Sequence, residues 1–275
     1  MPLPLFARVL ESYDSMGGGH LSLTPVVGDI FMDPYLKDRI NLFYGFKARS
    51  ISSLSVTTNA VLANKYSTPD LKYIVNAFDR LYISVYGRDA NEYAAMTNRS
   101  SFDDMLSSVR KIISLIDDIR KIKIGFRLSG HYTHEELTAW VRHNFGTTLP
   151  FDSINTYANW GNIDTSCSSA STVNWLPKVD NSTQCFIPLL AMQVFSDGQL
   201  SFCPCADYDA DAELSIGHVL DSDLLTIYNT DKVRQLWNFE NNMPFFCRHC
   251  TFHRSVKQLG NFMWIFDRPL DFIGG

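Results

Sequence analysis

Along the first 160 residues, short apolar runs alternate with longer stretches in which apolar positions recur every three or four residues. Short runs bounded by turn residues indicate buried strands, and the longer spacing indicates amphipathic helices. The runs predict five strands, over 21–27, 51–58, 81–86, 122–128 and 151–158. Strict alternation of strands and helices predicts an α/β fold with one parallel sheet, open or curled into a barrel.

Capping signals mark where several of the predicted helices begin. Asp33 followed by Pro34 is typical of a helix start, because proline is tolerated in the first turn. Thr133 and Glu136 have the spacing of a capping box, in which the side chain of each bonds the backbone of the other. The longest helix is predicted to be capped near Ser100 and to bury Phe102, Met105, Leu106, Val109, Ile112, Ile113 and Ile116.

Four of the six cysteines form a pattern typical of metal ligands, namely Cys185, Cys203, Cys247 and Cys250. An apolar run over 186–195, a turn ending in Gly198 and a second run over 199–202 predict a β-hairpin between the first two. The last two form a C-x-x-C turn in a later loop. Thiolates held on a hairpin and a short turn suit a tetrahedral metal or an iron-sulfur cluster.

Other interpretations of these cysteines stay open. The same spacing occurs in buried thiols beside an unrelated C-x-x-C, and zinc uses the same ligands. His249 and His253 flank the C-x-x-C and are possible zinc ligands, although a histidine beside a cluster more often hydrogen-bonds or faces solvent. Cys205 is close enough to compete with Cys203, and Cys167 is expected to be a spare thiol.

Composition narrows the function classes without choosing one. A chain of 275 residues that is 45% hydrophobic can bury one large core or two. A net charge of -5 with no basic run argues against nucleic-acid partners. No apolar stretch approaches the roughly 20 residues of a membrane span, and the N-terminus lacks the positive region of a signal peptide. We therefore expect a cytoplasmic protein whose cysteines bind metal, since that compartment keeps thiols reduced.

The cysteine spacing resembles that of the shortened SPASM, or twitch, domain appended to radical S-adenosylmethionine (SAM) enzymes. The segments that are similar to its hairpin and to the stretch after it are 194–198, 203–207, 216–219 and 225–229. Longer SPASM domains have further cysteines for a second cluster, and none follows Cys250 here. The resemblance implies one auxiliary four-iron four-sulfur (4Fe-4S) cluster held by the four cysteines.

The order of strands and helices is similar to the partial (β/α) barrel of radical SAM proteins. In that family the first strand leads into a C-x-x-x-C-x-x-C loop whose cluster binds SAM, and this sequence has no such motif. The helix predicted over 4–15 is similar to the one after that loop, so we expect a barrel that lacks its first strand. The expected division is a partial radical SAM barrel at 1–160, a connector at 161–184 and a SPASM/twitch domain at 185–275.

Five positions at predicted strand ends are similar to SAM-contacting positions of the family. Gly28-Asp29 resembles the motif that holds the SAM amino group, with aspartate in place of glutamate. Asn59 resembles a conserved strand-end asparagine, Ser84 falls where a ribose contact is common, and Arg127 is placed to meet the SAM carboxylate. Each position also fits a purely structural role, because strand ends need hydrogen-bond partners.

The resemblance implies radical chemistry, since enzymes of this family modify peptides or oxidise sugars and cyclitols with a 5′-deoxyadenosyl radical. Without the SAM-cluster cysteines this chain alone is expected to be inactive, and SAM with its own 4Fe-4S cluster is expected only in a full-length version. The alternatives are a non-catalytic iron-sulfur binding or electron-transfer module and a zinc-stabilised α/β protein. Expected partners are a peptide or small-molecule substrate and a reductase or ferredoxin.

Overall fold

The computed structural model describes residues 1–47, 50–159, 173–177, 181–204, 207–238 and 243–256. Contacts divide this part of the chain into two compact units. The sheet unit is Gly19–Thr156 with residues 173 and 174, and the cysteine unit is Met1–Gly18 with the remaining described residues from 157 onward. The expectations for Cys167 and Cys205 lie outside the described residues.

The sheet unit is built on a five-stranded parallel sheet whose strands stand in chain order. Every neighbouring pair is parallel, so the α/β fold predicted from the sequence is confirmed. The strands are β1 Gly19–Ser22, β2 Ile51–Thr58, β3 Arg80–Tyr86, β4 Ile122–Arg127 and β5 Phe151–Ile154. The first helix, α1 Leu3–Ser15, belongs to the cysteine unit. The helices of the sheet unit are α2 Leu36–Lys47, α3 Thr68–Ala77, α4 Ala90–Thr97, α5 Phe102–Leu115 and α6 His134–Phe145.

The two faces of this sheet differ in chemistry, because alternate residues of a strand point to opposite sides. One face is apolar and buried, and it carries Leu54, Val56, Leu81, Ile83, Val85, Ile122, Ile124 and Phe126. The other face is mainly polar, and it carries Ser53, Ser55, Thr57, Tyr82, Ser84, Lys123, Arg127 and Asp152. The candidate SAM-contacting positions at the strand ends therefore border a polar face.

Three elements of the sheet unit differ from the sequence-based prediction, and one of them is β5, which ends at Ile154 rather than at residue 158. β1 ends at Ser22 rather than at residue 27, since Pro25 has no N–H with which to continue the ladder. α4 is not among the predicted helices, and Tyr93 is its one buried residue, so it lacks an apolar stripe. Asp89 caps α4 by accepting hydrogen bonds from two backbone N–H groups. Short polar helices of this kind depend on capping more than on periodicity.

The start of α6 is as predicted, whereas α2 begins at Leu36 rather than at Asp33, and α5 follows Ser101, whose side chain makes no capping hydrogen bond. In the capping box of α6, Glu136 N–H donates to Thr133 Oγ1 at 3.2 Å, and Thr133 N–H donates to Glu136 Oε2 at 2.7 Å. Gly146 ends this helix in the left-handed conformation, with φ of 69°.

The cysteine unit contains a separate three-stranded antiparallel sheet. Its strands are β6 Gln193–Val194, β7 Gln199–Ser201 and β8 Ser215–His218. Its helices, apart from α1, are α7 Ile187–Leu190, α8 Leu224–Tyr228, α9 Asp231–Trp237 and α10 Phe245–His249. Arg8 Nε of α1 donates to Val219 O at 2.6 Å, and Leu224 N–H donates to Ser12 Oγ at 2.7 Å. The helix predicted over 4–15 is therefore present, and its contacts anchor it in the cysteine unit.

The predicted hairpin is present around Gly198, whose φ is 100°, but its first arm is shorter than predicted. The start of the apolar run over 186–195 forms the helix α7, with Pro188 in its first turn, where the missing N–H costs nothing. Cys185 consequently lies outside the hairpin, in a bridge to Ser255. The predicted hairpin therefore lies between Cys185 and Cys203, and Cys185 is outside its first arm.

Within the described ranges, no helix has the length and apolar character needed to cross a lipid bilayer.

Candidate metal centre

The structure brings the four candidate cysteines together on one small cavity of the cysteine unit. The cavity has a volume of about 30 Å³, and it is lined by Cys185, Cys203, Cys247, Cys250, Ile187, Phe246, Phe252 and His253. All four cysteines are free thiols. A single buried water needs roughly 10–15 Å³, so the cavity has room for about two water molecules. Apart from the sulfur atoms and one histidine, its walls are apolar.

Three separate segments position the four thiols. Cys185 pairs with Ser255 in an antiparallel bridge, which ties it to the chain that follows the C-x-x-C. Cys203 comes two residues after β7, and its N–H donates to Ser201 Oγ at 3.2 Å. The remaining two thiols come from α10 and from the residue that caps its C-terminus. Because these segments are far apart in the sequence, only the folded cysteine unit brings the thiols together.

Burial controls the ionisation of these thiols. It raises the pKa of Cys185, Cys247 and Cys250, and that of Cys250 reaches about 12. Neighbouring thiols raise these pKa values further, because two thiolates in one cavity repel each other. A bound metal supplies the positive charge that allows such thiols to ionise, and it displaces their protons.

The four thiols line one cavity, and their chemistry suits more than one kind of metal group. In the part of the chain that the structure describes, no three His, Cys, Asp or Glu side chains are placed to hold one metal ion. A zinc ion needs four ligands within about 2.0–2.3 Å of one atom, whereas a 4Fe-4S cluster offers a separate iron to each thiolate. Four thiolate donors suit either group.

Backbone N–H groups point at two of the sulfur atoms. Arg254 N–H donates to Cys185 Sγ at 3.4 Å, and the N–H of Ile187 makes a second bond to it. The Cys250 sulfur accepts from the backbone at 252–253. Hydrogen bonds to sulfur are one of the means by which a protein sets the reduction potential of a cluster, together with cluster type, net charge and solvent exposure. Such bonds are present around this cavity.

The two histidines beside the C-x-x-C differ in position. His253 is buried on the cavity wall, and its Nε2 is 2.8 Å from Thr183 O. His249 is exposed, and its ring centroid lies 4.7 Å from that of Phe245. One ring nitrogen of His253 is thus engaged with the backbone, and His249 does not line the cavity.

The structure adds residues that the sequence does not single out. Asn181 is buried, and its amide donates to the carbonyls of Cys247 and Cys250. Asp207 is fully buried and accepts a hydrogen bond from Ser201, which in turn bonds the backbone beside the second ligand. Asn181 stands in a polar stretch that resembles a linker, so no local pattern identifies it. Asp207 lies four residues after Cys203, and no local sequence pattern indicates that it is buried.

The strand-end positions of the sheet unit form a second group. The Asp29 carboxylate accepts from Thr58 Oγ1 at 2.6 Å, from Asn59 N–H at 2.9 Å and from Phe31 N–H at 3.0 Å. Gly28 precedes it with φ of 98°, which favours glycine. Asp29 therefore joins the ends of β1 and β2, in keeping with the structural alternative left open by the sequence.

The three other candidate positions lie at the ends of β2, β3 and β4. Asn59 Oδ1 accepts from Val61 N–H at 3.1 Å, so this side chain is also used within the loop. Ser84 is 5% exposed and Arg127 is half-buried, on neighbouring strands and on the polar face. Within the described chain, the side chains of these two residues make no hydrogen bond. They are the candidates whose polar groups stay available to a ligand.

Comparison with known proteins identifies the cysteine-bearing segment. Residues 185–251 match the family model of SPASM, an iron-sulfur cluster-binding domain. No protein with a curated description matches the sequence. The SPASM-type segment predicted from the cysteine spacing is therefore confirmed.

Solved structures share the fold over most of the chain. The structure of BtrN in complex with AdoMet and 2-DOIA has a TM-score of 0.56 at 13% identity, covering 91% of this chain and 80% of that one. The structure of native anSMEcpe with bound AdoMet and the Kp18Cys peptide has a TM-score of 0.58 at 13% identity, covering 86% and 74%. At this identity the likeness establishes the fold alone, and the predicted α/β fold with a small C-terminal sheet is shared with both structures.

Proposed function

We propose that this protein binds one 4Fe-4S cluster through Cys185, Cys203, Cys247 and Cys250 and uses it to relay an electron or to anchor a substrate. The observation that carries the proposal is the convergence of four thiols from three segments on one apolar cavity. The match of this segment to a cluster-binding domain supports it independently. The cysteines provide the four ligands that such a cluster requires.

The chain itself supplies what a bound cluster needs. Its thiols become ligands once they lose their protons, and apolar side chains keep water from the cavity. Backbone N–H groups at Arg254 and Ile187 stabilise the charge on Cys185, as hydrogen bonds to a sulfur ligand do. The cluster, when bound, supplies a site that takes up or gives one electron.

The substrate side of the proposal rests on the shared fold alone. The related structures hold AdoMet with 2-DOIA or with a peptide, so we propose that a peptide or a cyclitol-like molecule is the substrate class of the complete system. SAM with its own cluster, and a reductase or ferredoxin as the electron partner, belong to the same proposal. A cytoplasmic location agrees with the reduced thiols that it needs.

A non-catalytic iron-sulfur module is the second candidate. It is favoured by the engagement of the Asp29 carboxylate and of Asn59 Oδ1 in hydrogen bonds within the sheet unit. The two candidates share the auxiliary cluster and differ in whether SAM is bound. Equilibrium dialysis with labelled SAM separates them in a longer version of the protein that carries the C-x-x-x-C-x-x-C loop, because only the first candidate predicts that such a version retains SAM.

Iron and sulfide content test the shared part of the proposal. Protein purified without oxygen, or reconstituted with iron and sulfide, should hold about four irons and four sulfides per chain. Cys247→Ala should lose most of this content, whereas Cys167→Ala, at the predicted spare thiol, should keep it. Zinc as the sole bound metal would contradict the proposal.

A further inference from the structure

The end of α10 leaves backbone carbonyls that the helix itself does not satisfy. In a regular helix the carbonyl of Cys247 would accept from the N–H four residues later, that of Thr251. Here Thr251 N–H donates instead to Asn159 O at 2.9 Å. Thr251 Oγ1 also accepts from Asn159 N–H, at 2.7 Å. The C-x-x-C turn is therefore held on one side by the main chain of Asn159.

Asn181 holds the other side of the turn. Its Nδ2 donates to the carbonyl of Cys247 and, at 3.1 Å, to that of Cys250. One planar amide group with two hydrogens thus spans both ligand residues of the C-x-x-C, from a position 66 residues before the first of them. The side chain is 92% buried, being 8% exposed, so water competes little for these bonds.

We infer that Asn181 is a positioning residue for the metal centre, which fixes the separation of Cys247 and Cys250 and so the direction of their two thiols. The inference rests on the proposed function, because it assigns Asn181 a role toward the cluster. Ligands are held in place by hydrogen-bonding groups behind them, and loss of such a group weakens metal binding.

The opposite end of the same amide supports a dedicated role. Asn181 Oδ1 is buried and has no hydrogen-bond partner among the described residues. Leaving a buried acceptor unpaired costs free energy, and the two hydrogen bonds that Nδ2 donates offset this cost. The amide is placed for the sake of its two donated bonds.

Two substitutions and a matched control test this role. Asn181→Asp keeps the shape but replaces the donor by an oxygen that faces two carbonyls, and Asn181→Ala removes the group. Asn159→Ala is the control, because Asn159 holds Thr251 through its main chain and its Oδ1 has no partner among the described residues. The control removes a nearby side chain. It keeps the bonds from the main chain of Asn159 to Thr251 and the two bonds that Asn181 donates.

The full chain of each variant is reconstituted with iron and sulfide, and iron release to excess chelator is followed with time. Both Asn181 variants should release iron roughly 10- to 100-fold faster than wild type, the range typical of lost supporting bonds. Asn159→Ala should stay within about twofold. The Asn181 variants should also change the electron paramagnetic resonance spectrum and the midpoint potential of the reduced protein, while circular dichroism of the metal-free protein is unchanged.

Each outcome decides the inference. Wild-type release rates and spectra in both Asn181 variants overturn it, and so does failure of both variants to fold, which would make Asn181 a general structural residue. If only Asn181→Asp fails to fold, the iron-release rate and the spectrum of Asn181→Ala decide whether the inference stands. Absence of iron and sulfide from the wild type is a different result, since it rejects the proposed function before Asn181 is tested.

Discussion

Ser201 Oγ donates to Asp207 Oδ2 at 2.5 Å, in the fully buried interior of the cysteine unit. The same oxygen accepts from the N–H of Cys203 at 3.2 Å, and Asp207 Oδ1 accepts from Asp211 N–H at 2.9 Å. A buried carboxylate is costly unless it is hydrogen-bonded, and here both oxygens are. The pair therefore fixes the backbone at Cys203 and at Asp211.

Asp207 should make stability depend on pH. Burial raises the pKa of its carboxyl above the value in the unfolded chain, about 3.9. The folded state then holds the proton more tightly, so the free energy of unfolding falls as pH rises from about 4 through the folded pKa and is level above it. Asp207→Asn should remove this fall, as measured by urea unfolding of the metal-free protein between pH 4 and 8.

The matched control for this measurement is Asp221→Asn, at an exposed position. It should keep the wild-type slope. Equal slopes in wild type and Asp207→Asn would show that Asp207 titrates as it does in the unfolded chain.

Assembly of the metal centre should also depend on pH, with the opposite sign. Burial raises the pKa of Cys185, Cys247 and Cys250, so these groups are thiols at neutral pH. Ligands must lose their protons, and each bound thiolate therefore makes binding more favourable as pH rises toward the raised pKa. Competition with a chelator of known pH dependence should show tighter iron retention at pH 8.5 than at 6.5. Retention that is independent of pH would contradict this.

The first helix should be needed by the cysteine unit. Val9 of α1 is buried in one cluster with Leu200, Phe202 and Ile216. Val9→Ala removes apolar surface and leaves a cavity, at a cost of about 2 kcal/mol. Urea unfolding and iron retention should both report the loss. Glu11→Ala, at an exposed position of the same helix, should change stability by less than about 0.5 kcal/mol.

The sequence predicts the sheet and most of its helices because their signals are local. Apolar runs locate the central strands, and Thr133 with Glu136 locates a helix start to the residue. Where proline interrupts a run, as at Pro25 and Pro188, the apolar pattern alone overextends the strand. Backbone hydrogen bonding determines where these strands end, and the spacing of apolar residues carries no information about it.

The four cysteines of the candidate centre could be identified from spacing, but the residues that support them could not. Asn181 meets the C-x-x-C from 66 residues away, and Asp207 acts through Ser201. Such contacts form only in the folded protein, so no spacing of residues in the sequence indicates them. The same holds for the placement of Cys185, which a bridge to Ser255 determines.

Asp29 should behave as a structural residue of the sheet unit. Its carboxylate accepts from Thr58 Oγ1, Asn59 N–H and Phe31 N–H. Asp29→Asn replaces one carboxylate oxygen by an NH₂ group, which faces a hydrogen-bond donor and cannot accept from it. We therefore expect a loss of about 1–3 kcal/mol in the free energy of unfolding. Asp38→Asn, at an exposed position in the first turn of α2, should change it by less than about 1 kcal/mol. An unchanged stability in Asp29→Asn would instead favour a role in ligand binding.

The chain of 275 residues should not cleave SAM. In the family that it resembles, cleavage needs an iron with an open position, left free because only three cysteines of one loop hold the cluster. Of the six cysteines here, four line the candidate cavity and two remain, which is fewer than that loop requires. A cluster held by four thiolates has no open iron. Reconstituted protein given dithionite and SAM should form no 5′-deoxyadenosine above a control without protein. Sustained turnover would mean that one of the four thiolates exchanges for SAM, and Cys-to-Ala variants at each position would then identify which.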